Sequence, residues 1–95
     1  MQMVVGLLIL EIVIPGSNSL KEKRLALKSI KDKVGSRFNV SIAEIDFQEK
    51  WQRTKLGIVQ IGNDYGYIDK NLHSIFNLID QSNSVEIVQH SMEYL

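Results

Sequence analysis

The residues best suited to chemistry gather around one turn. Glu44 and Asp46 stand two apart in an apolar stretch, and on a strand that spacing points both carboxylates to one face. Gln48, Gln52 and Arg53 lie just across the turn, with Trp51, the single tryptophan, at its tip. Such a cluster can hold a polar ligand against an aromatic platform. It can also be structural, with Asp46 and Arg53 paired across strands and Trp51 covering the end of the core. The structural account is preferred, because paired charges at strand ends are common. Glu44, Asp46 and Glu49 offer oxygen ligands that suit only a hard cation, and exposed turn carboxylates are usually just solvated. No metal or cofactor is therefore expected. His73 and His90 lack any metal-ligand spacing and are expected to be ordinary surface or partly buried histidines. Gly62-Asn63-Asp64-Tyr65-Gly66 opens a helix and could seat an anion in principle, but Asp64 would repel a phosphate there. A turn and cap is the plainer reading. P-loop, dinucleotide and G-x-S-x-G motifs are absent, and no nucleophile, base and oxyanion hole assemble. The sequence leans against an enzyme; a hydrolase using Glu44 and Asp46 is a remote alternative.

A second group of residues acts by charge. Net charge over the 95 residues is zero, yet residues 19–37 hold seven basic side chains against Glu22 and Asp32. That segment is +5 and the remainder −5. The split suits a self-complementary oligomer or an anionic partner, although a solvated helix face is the commonest cause of such a run. Lys21, Arg24, Lys28 and Lys31 fall along one helical stripe, with Lys33 and Arg37 as possible additions.

The elements that must position these residues are legible from periodicity. Residues 3–14 are apolar at both parities, which marks a central strand with both faces out of water. Pro15-Gly16-Ser17-Asn18 breaks it. Ser19 caps a helix, with Glu22 completing an S-x-x-E capping box and Gly35 marking the end. Leu20, Leu27, Ile30 and Val34 form its packing face. Lys23 falls inside that arc, so its stem must pack while its ammonium either snorkels out or meets a carboxylate. Leu25, opposite the arc, is exposed or in a contact. Phe38 to Phe47 reads as a second strand whose phase slips at Ala43, from a bulge or from burial of the second face at that end. A third strand runs from about Trp51 to Gly62, also apolar on both parities. Its Gly57 suggests a close approach by a helix or a neighbouring chain. Asn63 or Asp64 caps a second helix with apolar positions Ile68, Leu72, Ile75, Phe76 and Ile79, and residues from Val85 onward form a last strand.

The order βαββαβ implies a single α+β domain over residues 1–95. It would be a ferredoxin-like, four-stranded antiparallel sheet in order 4-1-3-2 with both helices on one face. Helices covering one face leave the apolar second face of the central strands open. A homo-oligomer is therefore expected, most simply a dimer formed through or beside that face. The first eleven residues lack a basic leader, and Glu11 interrupts their apolar run, so neither a membrane span nor a signal peptide is expected. With no cysteine in the chain, cytoplasm is the default location.

Three stretches, S-L-K-E-K-R at 19–24, R-F-N-V-S-I-A-E-I-D at 37–46 and W-Q-R at 51–53, resemble the bacterial domain-of-unknown-function 503 family, the YlxP-like proteins. The resemblance covers nearly the whole chain and implies a ferredoxin-like fold without an established activity. Its members are often encoded near translation initiation and ribosome-binding factor genes, which hints at ribosome or RNA work. Gly35 departs from the pattern, which leads one to expect a basic residue there. Strands one and three carry no aromatic in V-V-G-L-L-I-L and K-L-G-I-V-Q-I, so base stacking of the RNA-recognition-motif kind is not expected. The reading is a non-catalytic module docking on structured RNA or a ribosome-associated partner through the basic helix. The alternative is a small-molecule-binding or regulatory dimeric domain.

Overall fold

The computed structural model describes residues 2–95. Their order is β1 (Val4–Val13), α1 (Leu20–Gly35), β2 (Ser41–Asp46), β3 (Arg53–Gly62), α2 (Tyr65–Asp80) and β4 (Glu86–Tyr94). All pairings are antiparallel and the sheet order is β2-β3-β1-β4, the ferredoxin-like arrangement.

Alternation along β1 separates the two faces. Leu8, Leu10 and Ile12 are fully buried beneath the helices, where they meet Leu56 and Ile58 of β3 and Ile68, Leu72 and Ile75 of α2. Each such side chain contributes about 1.5–3 kcal/mol of burial. The opposite parity of β1, Val5, Leu7 and Ile9, is only half-buried and looks away from the helices. On β3 the same parity includes Ile61, which is 65% exposed.

Helix α1 begins at the expected cap. The Ser19 hydroxyl accepts from the Glu22 N–H at 3.1 Å. The Glu22 carboxylate reaches back to the N–H of Asn18, one residue earlier than in the standard box, and to the Ser19 hydroxyl. Asp64 caps α2, its carboxylate accepting from the Tyr67 N–H at 3.2 Å.

Strand β2 is shorter than the periodicity predicts. Phe38 and Val40 precede it and pack against the core as half-buried loop residues. The phase slip is a register shift between Glu44 and Asp46, a bulge at Ile45. Gly57 makes its close approach to the Ile45 side chain, 3.4 Å from the nearest position a Cβ would occupy, and not to a helix. The helix approaches at Gly6, where an added Cβ would stand 2.5 Å from Ile68 Cγ2 and 2.9 Å from Leu72 Cδ1. Polar pairing completes the packing. Buried Asn71 donates to the Gln60 side-chain carbonyl at 3.0 Å. The Tyr94 hydroxyl donates to Asp69, joining the end of β4 to α2.

Gly6→Ala should cost about 1–3 kcal/mol, since the clash falls on a branched side chain held between strand and helix; urea unfolding measures it. Partial burial, and then the Asp69 carboxylate, raise the Tyr94 pKa above its ordinary value of 10.0. A raised phenol pKa gives stability that is complete below about pH 10 and lost as pH rises beyond it. The stability difference between the native chain and Tyr94→Phe should therefore shrink above pH 10 and stay constant between pH 6 and 9.

Candidate functional site

The bulge at Ile45 divides the hairpin cluster. Glu44 sits opposite Leu56 on the helix side, whereas Asp46 sits opposite Lys55 on the other parity. The expectation that both carboxylates share a face is therefore wrong, and the bulge is the reason. Among the described residues no three metal-ligating side chains converge.

Glu44 instead anchors α1. Lys23, only 2% exposed, brings its ammonium to 2.8 Å from Glu44 Oε2 and donates to the Phe47 carbonyl at 2.6 Å. The Gln48 carbonyl stands at 3.5 Å, so three acceptors surround the three N–H donors. Thr54, fully buried, donates its hydroxyl to the same carboxylate oxygen at 2.6 Å. Of the two fates open to Lys23, it meets a carboxylate. Phe47 presents its carbonyl from a left-handed backbone (φ 61°), a conformation uncommon for a side chain of this size. The Asp46 carboxylate supports it by accepting the Phe47 N–H at 2.7 Å.

Arg53 also takes a partner other than the expected one. It pairs with Glu11 and lies over the Phe47 ring, 4.6 Å from its centroid, and does not reach across to Asp46. Gln52 donates to the Ser17 carbonyl at 3.0 Å, tying the hairpin to the β1–α1 loop. Trp51 is 55% exposed and does not cover the core end, because the turn carries it outward. The hairpin residues thus work mainly on one another.

The basic helix is the more open surface. Lys21, Arg24, Lys28 and Lys31 are all exposed. Lys28 is engaged by Asp32 at 2.8 Å, one turn along, and that carboxylate raises its pKa above 10.5. Among the described residues, Lys21, Arg24 and Lys31 make no ion pair. Lys33 departs from the stripe. It lines a crevice with Leu78 and Ile79, so it belongs to the flank of α1 that faces α2. Arg37 follows the helix and is exposed. The stripe occupies the flank away from α2, on the side where Lys23 reaches the end of β2.

His73 and His90, far apart in sequence, line one cleft between α2 and β4, with His90 against Phe76 at 4.7 Å between ring centroids. Both are exposed.

The family described as "Protein of unknown function (DUF503)" matches residues 5–92. The chain belongs to this family. It is also 41% identical over 76 residues to "Uncharacterized protein YlxP" of Bacillus subtilis (strain 168), a match covering 80% of this chain and 83% of that protein. The matched region contains the whole basic stripe and the Lys23–Glu44 anchor. No described helix is long and apolar enough to cross a membrane.

Sequence reasoning missed Glu11 as a partner, treating it only as an interruption of an apolar run. It is buried, and its signal was being the one charge in an otherwise apolar strand.

Breaking the anchor should be asymmetric. Glu44→Gln leaves a deeply buried ammonium and should cost about 3 kcal/mol or more. Lys23→Met leaves a carboxylate that is 19% exposed and still bonded to Thr54, and should cost about 1–3 kcal/mol. The double variant Lys23→Met, Glu44→Leu should recover to within about 1 kcal/mol of the native chain in urea unfolding.

Proposed function

We propose that this protein is a non-catalytic cytoplasmic binding module that docks on the phosphate backbone of a structured RNA, such as one carried by the ribosome. The observation that carries the reading is the state of the cations on α1. Lys23 is consumed inside the fold and Lys28 is paired with Asp32 at the surface, while Lys21, Arg24 and Lys31 stand exposed and unpaired among the described residues on one flank. Cations projecting from one flank of a helix suit phosphates of a structured backbone, because the helix sets the spacing from which the side chains reach.

The sheet supports the same division of labour. On β1 and β3 its open face carries aliphatic and charged side chains and no aromatic, so these strands offer no ring for a base to stack on. Binding through the stripe follows backbone shape and is weakly sequence-specific, with affinity coming from released counterions. The charged groups of the hairpin cluster are already engaged: Glu44 by Lys23 and Thr54, Arg53 by Glu11, and Asp46 by the Phe47 N–H.

With three or four phosphate contacts, affinity for a structured RNA should fall roughly 40- to 150-fold between 50 and 200 mM salt. Arg24→Glu together with Lys31→Glu should abolish binding in filter or mobility-shift assays while leaving the unfolding transition in place. Salt-insensitive association, or association that survives the double reversal, refutes the reading.

A further inference from the structure

The sheet face turned away from the helices is sorted by row. At one end Val5 lies beside Ile61, then Leu7 beside Val59, then Ile9 beside Gly57, with Ile45 laid over that glycine. At the other end the rows are charged: Glu11 lies between Lys55 and Gln89, and the following row holds Arg53 and Glu86 about Val13. Asp46 extends the Lys55 row to β2. Along β1 and β3 the face is thus apolar for most of its length and ionic at the end bearing the hairpin. The outer strands add Ser41 and Glu93 to the Leu7 row and Ala43 and Ser91 to the Ile9 row. Leu7, Ile9 and Val59 remain half-buried, and Ile61 and Ile45 are exposed at 65% and 48%.

We infer that a second copy of this chain covers this face, related by a two-fold axis running along the strands between β1 and β3. Two sheets stacked face to face have only two such choices of axis. An axis across the strands inverts the rows and lays Val5 and Ile61 on Arg53 and Glu86, burying charge against hydrocarbon. An axis along the strands keeps every row level and exchanges left for right, so that β3 of the partner lies over β1. The apolar centres of the rows then meet one another, and at their margin Glu93 of each copy lies over Ser41 of the other, polar against polar. Within the ionic row, Lys55 of each copy lies over Glu11 of the other, and Asp46 over Gln89, allowing for the skew of about 30° between aligned sheets.

The area is sufficient. Four strands at about 4.8 Å spacing, the two central ones of ten residues, give a footprint of roughly 500–600 Å² per copy. The pair buries above about 1,000 Å² in total, within reach of specific interfaces. The product has four layers, helices outside and sheets inside, and both basic helices remain on its outer surfaces. This inference stands independently of RNA docking, since an apolar interface persists in salt that dissociates phosphate contacts.

Sedimentation of the full chain between 1 and 100 μM in 0.5 M salt should show a dimer. A monomer throughout, whether or not it takes up an amphiphile on this face, overturns the inference. Val59→Lys should weaken the dimer at least tenfold without loss of the native circular dichroism; unchanged association would place the interface elsewhere. Orientation is read by cross-linking, which the lack of cysteine in the chain makes clean. Leu7→Cys mixed with Val59→Cys should join through a short bismaleimide, each chain carrying one thiol. Leu7→Cys mixed with Lys55→Cys, two rows apart, should not; preferential joining of that pair overturns the axis.

Discussion

The position of α1 depends on one buried ion pair. Its ammonium, from Lys23, enters the core beside Glu44 and ends against carbonyls of the β2–β3 turn. A buried pair of this kind adds little over hydrocarbon of equal volume, yet separating its halves is costly. Helix and hairpin therefore cannot shift independently. The left-handed Phe47 follows from this, since that backbone directs its carbonyl at the lysine. So does the exposure of the stripe, because fixing Lys23 inward fixes Arg24 and Lys31 outward on the adjoining flank.

Charge in this molecule is allotted by depth. Lys23, Glu44, Glu11 and Arg53 are spent on holding elements together, and Lys28 on Asp32. What remains on α1 is a narrower and better ordered set than the +5 of the segment suggests. The open sheet face is organised differently, by rows, with one ionic end and one apolar length. Two surfaces with different chemistries thus lie on opposite sides of one thin domain, and engaging one does not obstruct the other.

Much of the fold could be read from the chain. The two-faced apolar runs of β1 and β3 named them as the central pair, and the stripe from Ile68 to Ile79 named α2. The inward lysine was visible as a violation of an apolar arc, and the bulge as a slip of phase after Ala43. The hairpin was read less well. Its carboxylates were placed on one face because a regular strand would put them there, and one bulged residue at Ile45 was enough to send Asp46 to the other side. Trp51 was expected to cover the end of the core, while the turn carries it outward.

What the sequence determined by itself is whatever depends on local periodicity and short-range chemistry: the element order, the Ser19 cap, a second cap at Asn63 or Asp64, the core faces, and a cation where hydrocarbon was due. Only the tertiary structure decided who partners whom. Glu11 and Arg53 are 42 residues apart, and Lys23 lies 24 residues from the carbonyl it meets. Those pairings are set by strand register and by the lie of a helix across a sheet. They arise when distant segments are brought together by burial, and no spacing along the chain encodes them.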